Sequence, residues 1–331
     1  MFRSRTFSFD DPLQYGPAIR AADIEMHPTH AGPYRSSLVQ CNLDSVWMQQ
    51  MTEHNARVCH GAVIPTRTII EFLADDGQAP IRHSGLEVTP GMLVVNDPSH
   101  THRRSFGPCR FGTMSLANEV LAKLALSILG RELGGPAPVR AFRPKPDNLA
   151  TLIRLHGAAA DLALTDPETL AHPEIARALE QGLARAMVHC LADEDEEEHQ
   201  VASPRHGAVV NRLDEVLAEN PERPLYLAEI CASTGISERT MRAWCQEHLG
   251  MGPLRYLWLR RMHLVRAALL RATPAGASVT QLACAHGFWE LGRFAVQYRR
   301  LFGERPSDTL HRPPVDCRLP AGVHAPVQGV S

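Results

Sequence analysis

The chain has 331 residues, of which 44% are hydrophobic and 21% charged. At about 150 residues per domain this length predicts two or three domains, and the apolar content excludes general disorder. No run approaches the roughly 18 apolar residues of a membrane span, and the N-terminus lacks the apolar core of a signal peptide. Eight scattered cysteines without a CxxC pair indicate reduced thiols. We therefore expect a soluble, cytoplasmic protein with no membrane partner.

Charge is distributed unevenly along the chain. The whole sequence has 34 Lys and Arg against 36 Asp and Glu, a formal charge of −2. Residues 223–312 contain thirteen arginines, no lysine and six acids, a net of +7, so that the remainder carries −9. Six of those negative charges form the run 193–198. A basic end on an acidic protein indicates a phosphate-backbone partner.

The first 115 residues have the pattern of an all-β domain. Short apolar runs such as 68–73 and 92–95 are ended by Asp, Asn, Gly and Pro. Runs of this length separated by turn residues are typical of a barrel or a sandwich.

Residues 116–192 have the pattern of a helical segment. The stretches 117–133, 149–164 and 174–191 are rich in Ala and Leu and free of internal Pro. In the last of them Ile175, Leu179, Leu183 and Met187 form an apolar stripe. This stripe either packs on the chain's own β domain or forms a dimer seam, and the pattern fits both. Residues 193–206 are expected to be a solvated acidic linker.

An internal repeat occupies the segment 207–313. The glycines Gly235 and Gly287 lie 52 residues apart, and the prolines Pro253 and Pro306 that follow them lie 53 apart. Similar apolar positions precede each glycine and follow it, so the segment contains two copies of one unit.

Each copy has the residues that a helix-turn-helix unit needs. Gly235 and Gly287 suit the tight turn because glycine adopts positive φ at little cost. Ser237 is placed to cap the second helix of copy one. The expected buried faces are Met241 and Trp244 in copy one and Phe294 and Tyr298 in copy two. Pro253 is expected to begin a long helix between the copies.

The segment 207–313 resembles the DNA-binding domain of the AraC/XylS family of bacterial transcription regulators. The resemblance rests on Ser278-Val279-Thr280-Gln281-Leu282-Ala283, Gly287-Phe288, Arg293-Phe294, the run 298–303 and Pro306-Ser307. It implies two recognition helices that enter successive major-groove turns of double-stranded promoter DNA, with half-sites about 34 Å apart. It also implies a homodimer and, for an activator, RNA polymerase as a partner.

The resemblance implies the architecture of the remaining chain as well. Residues 1–115 are expected to form a cupin-like β barrel that binds a small-molecule effector, and 86–95 resembles the strand–Pro-Gly–strand element of such barrels. Residues 116–192 would form the helical dimerisation segment, 193–206 the acidic linker, 207–313 the double helix-turn-helix domain and 314–331 a flexible tail. The fold class is thus multidomain α and β.

The expected DNA contacts lie on the outward faces of the two recognition helices. Arg239 and Arg242 can contact bases, phosphates or, as a surface pair, Glu238, and the choice between base and phosphate stays open. Copy two carries Gly292 and Val296 at outward positions, which favours positioning over sequence reading. The full set is Ser237, Glu238, Arg239, Thr240, Arg242 and Ala243 in copy one, Glu290, Gly292, Arg293 and Val296 in copy two, and Arg255, Arg260, Arg299 and Arg300 for phosphates.

Trp47, His100 and His102 are the candidate effector-binding residues. His100 and His102 would share one face of a strand, but Arg103 and Arg104 follow them and oppose a metal cation. We therefore expect neither metal nor cofactor. The absence of GxSxG, P-loop and Rossmann patterns predicts no catalytic residue.

Two other hypotheses remain open at this point. One is a metal-dependent cupin enzyme that uses the C-terminal module only for localisation. The other is a DNA-binding protein that needs no effector and whose barrel is a dimerisation scaffold.

Overall fold

The computed structural model describes residues 3–29, 32–96, 101–133, 138–195 and 200–201, and residues 209–312 with gaps at 210–211, 214, 218 and 221–222. Two antiparallel sheets and five helices form the N-terminal part, and an all-helical part ends the described chain. This agrees with the predicted class of multidomain α and β. Among these residues no helix has the length and apolarity needed to cross a membrane.

The larger sheet has eight strands. They are β1 (Arg3–Phe9), β3 (Ser36–Leu43), β4 (Val46–Glu53), β6 (Arg67–Leu73), β9 (Leu93–Val95), β11 (Cys109–Ala117), β12 (Arg140–Phe142) and β13 (Gln200–Val201). Their spatial order is β1-β3-β4-β11-β6-β9-β12-β13. The hydrogen-bonded register places Met51 of β4 opposite Phe111 of β11, and Met48 opposite Met114. Because side chains alternate between faces, Met51 and Phe111 point to one side of the sheet and Met48 and Met114 to the other.

The smaller sheet has five strands. They are β2 (Ala22–Pro28), β5 (Arg57–Val63), β7 (Ile81–His83), β8 (Leu86–Val88) and β10 (Thr101–Ser105), in the order β2-β5-β10-β7-β8. A hydrophobic cluster that includes Met51, Phe111, Met26 and Cys59 joins side chains of both sheets. The two sheets therefore face each other. The β domain differs from the predicted range 1–115, because β12 and β13 from later in the chain complete its larger sheet and a short helix, Pro12–Ala18, lies within that range.

Helices cover the opposite face of the larger sheet. A second hydrophobic cluster joins Met48, Phe72 and Met114 of the strands to Leu152 and Leu183 of the helices. Each helix from α3 to α5 begins with a proline, which suits the first helical turn. These helices are α2 (Asn118–Leu129), α3 (Pro146–Thr165), α4 (Pro167–Ala171) and α5 (Pro173–Ala192), whereas α1 (Pro12–Ala18) packs into the cluster between the sheets through Tyr15 and Ala18.

The apolar stripe of α5 packs within the chain. Leu183 and Met187 are fully buried in the cluster against the larger sheet, and Leu179 packs on it. Of the two alternatives for this stripe, the structure favours packing on the chain's own β domain.

The acidic segment after α5 differs from the expected solvated linker at its start. Asp193 is 4% exposed and accepts hydrogen bonds from the Lys145 backbone N at 2.9 Å and from Asn148 Nδ2 at 2.8 Å. Glu194 pairs with Arg140, and β13 extends the larger sheet beside β12. Tertiary contacts thus bind this end to the β domain, whereas residues 196–199, 202–208 and the tail 313–331 lie outside the described residues.

The C-terminal part contains both predicted helix-turn-helix units. Gly235 and Gly287 adopt left-handed backbone conformations with φ of 67° and 78°, and Ser237 Oγ caps its helix by accepting from the Thr240 backbone N at 3.2 Å. A π-helical turn, Cys245–Leu249, follows the first unit. The helices are α6 (Leu227–Thr234), α7 (Glu238–Trp244), α8 (Pro253–Arg271), α9 (Val279–Ala285), α10 (Leu291–Phe302) and α11 (Pro306–Leu310).

Candidate DNA-recognition surface and effector cavity

Helix α7, the second helix of copy one, has one buried and one exposed face. Met241 and Trp244 are buried, as the sequence predicts. The predicted contact residues on the other face are all exposed, and Arg242 Nη2 lies 3.0 Å from Glu238 Oε2. A surface pair of this kind contributes at most about 1 kcal/mol, so Arg242 can exchange it for a DNA contact. The exposed residues are Ser237, Glu238, Arg239, Thr240, Arg242 and Ala243.

Helix α10, the second helix of copy two, also divides into two faces. Phe294 and Tyr298 are buried, whereas the predicted contact residues Glu290, Gly292, Arg293 and Val296 are exposed. Arg293 Nη1 is 3.7 Å from Glu290 Oε2. This face also exposes apolar side chains, since Val296 is 69% exposed and the neighbouring Trp289 75%.

The predicted phosphate contacts separate into two groups. Arg299 and Arg300 are exposed at the end of α10, and Arg255 is exposed on α8 with its guanidinium 4.1 Å from the Trp258 ring. Partial burial and the charge of Arg300 lower the pKa of Arg255, as expected for neighbouring cations in a basic cluster.

Arg260 does not belong to this surface. Its side chain is 1% exposed and donates to the backbone carbonyls of Arg223 at 3.1 Å and Asn220 at 2.8 Å. Its Nε also lies 3.6 Å from a carboxylate oxygen of Glu25 in the β domain. Because these contacts surround the guanidinium, Arg260 cannot reach a phosphate in this structure, in contrast to the prediction.

A cavity lies between the two sheets. Both sheets contribute to its wall, the larger one through β4, β6 and β11 and the smaller one through β2, β5 and β10. The lining is apolar with a few charged groups and consists of Tyr15, Ile19, Arg20, Ala22, Ile24, Gln49, Met51, Glu53, Arg57, Cys59, Val63, Ile69, Glu71, Thr101, Arg103, Phe111 and Thr113.

Two buried ion pairs occur in this lining. Arg57 pairs with Glu53, which also accepts a hydrogen bond from Tyr15 Oη at 2.6 Å. Arg103 Nη1 lies 3.0 Å from Glu71 Oε2. Burial alone would raise the pKa of Glu71, but the charges of Arg103 and His83 and two hydrogen bonds lower it to about 2. Glu71 therefore stays a carboxylate at neutral pH.

Cys59 lies between the two cavity arginines. Arg57 Nη1 donates to its Sγ at 2.8 Å. Although burial by itself raises the pKa of this thiol, the charges of Arg57 and Arg103 lower it below its ordinary value. The two neighbouring guanidinium groups thus favour the thiolate form of Cys59.

The predicted effector residues do not line this cavity. His102 faces away from it and packs against Trp244 of α7, with ring centroids 5.3 Å apart. Trp47 lies outside the lining, where its ring is stacked between Arg20 at 3.7 Å and Arg67 at 3.9 Å. His100 lies outside the described residues. His102 therefore contacts the C-terminal part and does not line this cavity.

The smaller sheet is a single wall between the cavity and the first helix-turn-helix unit. In β10, Thr101 and Arg103 line the cavity, while His102 between them packs against Trp244 on the other side. In β5, Cys59 lines the cavity and the next residue, His60, meets Tyr256 of α8. The two-residue period of a strand produces this arrangement.

Contacts across this wall are mostly buried. His60 Nδ1 is 3.2 Å from Tyr256 Oη, and the rings of His27 and His263 are 4.7 Å apart. Elsewhere in the interface, Arg266 Nη1 of α8 lies 2.7 Å from Asp11 Oδ1 in a buried ion pair, and Arg82 Nη1 donates to the Glu247 carbonyl at 2.6 Å. In the described part of the chain no group of three or more His, Cys, Asp and Glu could hold a metal ion.

Sequence reasoning missed the charged residues of the cavity. A signal was available in β6, where Glu71 interrupts the apolar run Ile69-Ile70-Glu71-Phe72-Leu73. A single charge within a buried strand marks a polar partner or a site. Its partner Arg103 is 32 residues away in a strand of the other sheet, and only the packing of the two sheets against each other reveals the pairing.

The comparisons with known proteins point to one family. A family model described as a helix-turn-helix domain matches residues 230–312, which contain both recognition helices. The chain is 32% identical over 154 residues to the "Probable thc operon regulatory protein" of Rhodococcus erythropolis, with 46% of each chain covered. It is 36% identical over 106 residues to the "XylDLEGF operon transcriptional activator 2" of Pseudomonas putida, which covers 32% of this chain and 68% of that relative.

One solved structure shares the same 36% sequence identity with this chain. It is described as a probable AraC family transcriptional regulator from Rhodopseudomonas palustris CGA009, with 36% identity, 32% of this chain and 99% of that chain covered, and a TM-score of 0.28. The chain spans about half the length of the Rhodococcus relative and two thirds of the Pseudomonas activator. On the identity over that larger share, and on the two helix-turn-helix units, the chain belongs to the AraC/XylS family of transcription regulators.

Proposed function

We propose that this protein is a transcription regulator that binds promoter DNA sequence-specifically through α7 and α10. The observation that carries the proposal is the pair of exposed faces on these helices, each with arginine on one side and a buried aromatic face on the other. Arg239 and Arg242 suit base or phosphate contacts, and Arg299, Arg300 and Arg255 suit phosphates.

The length of the helix between the two units supports this proposal. Helix α8 joins them and has 19 residues, which at 1.5 Å per residue gives about 28 Å. Major-groove sites on one face of DNA repeat every 34 Å or so. A rigid connection of this length suits two helices in successive turns of the groove.

We extend the proposal to control by a small-molecule effector. The cavity between the two sheets has an apolar lining with a few charged groups, as small-molecule sites usually have. Its wall is the sheet that contacts α7 and α8, so a ligand that moves Arg103 or Cys59 acts on His102 and His60 in the same strands. The proposed result is a coupling between effector binding and DNA binding.

The proposed role is activation. The Pseudomonas relative is named as an operon activator, and an activator of this family would have RNA polymerase as a second partner and act as a homodimer in the cytoplasm. In the described residues no observation favours the enzyme hypothesis as a second candidate function.

The test is a gel shift and a footprint of the full chain on the DNA upstream of its own and neighbouring genes. The double variant Arg239→Glu/Arg242→Glu should lose at least tenfold in specific affinity, because base contacts contribute about 1–3 kcal/mol each. The matched control is Arg177→Glu, an exposed arginine of α5, which should bind like the wild type. Unchanged affinity and sequence preference in the double variant would contradict the proposal.

A further inference from the structure

The second helix of copy two, α10, carries apolar side chains that the rest of the chain leaves in solvent. Trp289 and Val296 are 75% and 69% exposed, the two largest values among the large apolar side chains of the described residues, and Leu291 between them is 36% exposed. Single exposed apolar residues are ordinary, whereas neighbouring ones mark a contact surface. We therefore examined what partner suits this face of α10.

Val296 lies at the centre of the exposed face. Phe294 and Tyr298 are buried on the opposite side of the helix. Because residues four apart share a side of a helix, Gly292 and Val296 face outward together, away from the buried pair. A Cβ added at Gly292 would have no atom within 4 Å, so the space beside the Val296 side chain is open to a partner.

Arginines surround this apolar centre. By helical periodicity Arg293 and Arg300 lie along one side of Val296 and Arg299 along the other, and all three are exposed. Residues 289–302 contain these three arginines and one acid, Glu290, a net of +2. A basic rim around an apolar centre complements a groove that is lined by phosphates.

Copy one carries a different residue at the centre of its exposed face. The two prolines that follow the units are 53 residues apart, and the same spacing aligns the buried Met241 with the buried Phe294. In that register Gly292 of copy two takes the place of Arg239 in copy one, next to Val296. Copy one thus presents a hydrogen-bond donor where copy two presents none, so the two helices read base edges by different contacts.

Thymine is the base that suits an apolar contact in the major groove. Gly292 and Val296 have no side-chain donor or acceptor with which to pair a base edge. The C5-methyl group of thymine is the apolar group that the base pairs present in the major groove, and cytosine has a hydrogen at the same ring position. A valine that packs on this methyl group removes apolar surface of both from water.

We propose that Val296 reads thymine, by packing its methyl groups on the C5-methyl group of a thymine in the half-site that α10 enters. The proposal rests on the proposed function, since it names the base that the second recognition helix selects. Gly292 permits the close approach of the base pair, and the flanking arginines contact the phosphates on either side of the groove. Copy two therefore contributes sequence specificity through a methyl contact and does more than position the protein.

The experiment removes the thymine methyl groups and nothing else. Full-length protein selects duplexes from a random DNA pool, and a footprint locates the two half-sites on the selected sequence. Thymines are then replaced by deoxyuridine in one half-site at a time, which keeps every hydrogen-bonding group of the base. In one half-site the replacement should weaken binding about fourfold for each contacted thymine, the effect of one buried methyl-sized group.

The variant Val296→Ala assigns this effect to α10. Alanine suits an exposed helical position, and the variant should no longer distinguish thymine from deoxyuridine in that half-site. In the other half-site the replacement should affect the wild type and the variant equally, which provides an internal control. The matched control is Val201→Ala, an exposed valine of β13, which should respond to deoxyuridine like the wild type in both half-sites.

The proposal is overturned if neither selected half-site contains thymine, if deoxyuridine leaves wild-type binding unchanged in both, or if Val296→Ala keeps the wild-type response. A Val296→Ala variant that binds every duplex like the wild type but loses activation would show that a protein such as RNA polymerase covers this surface, which also overturns it. In each of these cases the wild type still binds DNA sequence-specifically, and the proposed function stands. A wild type without any sequence-specific binding would contradict both.

Discussion

Arg260 and Arg299 belong to the same basic segment of the sequence, yet their surroundings give them different roles. Arg299 is exposed at the end of α10. Arg260 is buried in the middle of α8, where it donates to two backbone carbonyls. Net charge over a segment therefore indicates a nucleic-acid partner, but only burial decides which arginines can reach it.

This difference predicts different effects of the same substitution. Arg299→Gln should lower the slope of log affinity for DNA against log salt by about 0.9, because one phosphate contact is lost. Arg260→Gln should leave that slope unchanged and lower the urea midpoint of unfolding, because buried carbonyls lose their donor. Salt titrations and urea unfolding of both variants test this. If both variants lowered the salt slope by the same amount, Arg260 would contact a DNA phosphate, and the prediction would be wrong.

At the scale of single elements, backbone conformation decides what each glycine contributes. Gly235 ends α6 with φ of 67°, and Gly292 lies in the first turn of α10. A Cβ added at either position would have no atom within 4 Å. The two sites therefore differ in backbone conformation and not in available space.

Opposite effects on stability are expected from one substitution at these sites. Gly235→Ala should lower the free energy of unfolding by about 1–2 kcal/mol, because a left-handed conformation is strained for alanine. Gly292→Ala should raise it by about 0.5–1 kcal/mol, because alanine favours the helix and restricts the unfolded chain. Urea unfolding of both variants measures the two values. Changes of the same sign would show that backbone conformation is not the deciding factor.

At the scale of the whole molecule, the smaller sheet joins the cavity to the DNA-binding part through buried histidines. Burial, opposed in part by Glu25, lowers the pKa of His27, and burial with the charges of His27 and Arg266 lowers that of His263 well below its ordinary value. The other titratable and charged groups at this interface are Asp11, Glu25, His60, Arg82, His102, Arg104, Glu247, His248, Tyr256, Arg260 and Arg266.

Acid should therefore destabilise this interface. Below about pH 6.5 the unfolded chain takes up protons that the folded His27 and His263 do not, so stability falls as pH falls, by about 1.4 kcal/mol per pH unit for each histidine. His156, whose pKa burial lowers to about 4, adds the same trend from the core of the β domain. Urea midpoints between about pH 7.5 and 5.5 measure the total.

The double variant His27→Gln/His263→Gln isolates the contribution of the interface. Its unfolding midpoint should depend less on pH than that of the wild type. The pH dependence that remains should come from other groups such as His156. A pH dependence identical to that of the wild type would show that these two histidines do not link the domain contact to pH.

The sequence alone predicted the DNA-binding part, because the residues that define it lie close together in the chain. The turn glycines, the Ser237 cap and the buried faces of α7 and α10 lie within about 20 residues of one another in each copy, so local conformational preferences and helical periodicity were enough to predict them. The exposed positions of Arg239 and Arg242 follow from the same periodicity. The all-β pattern of the first 115 residues was also visible, since it too depends on short runs and turns.

Only the tertiary structure determined how the two domains contact each other. The pairing of Arg103 with Glu71, the turning of His102 away from the cavity, and the burial of Arg260 against Glu25 depend on strand register and on how the sheets and the domains pack together. Those arise from contacts between distant segments, and a shift of one residue would exchange the faces of a strand. The sequence thus determined a double DNA-binding unit and a β domain, whereas the fold decided that one sheet is at once the wall of the cavity and the contact surface of the first unit.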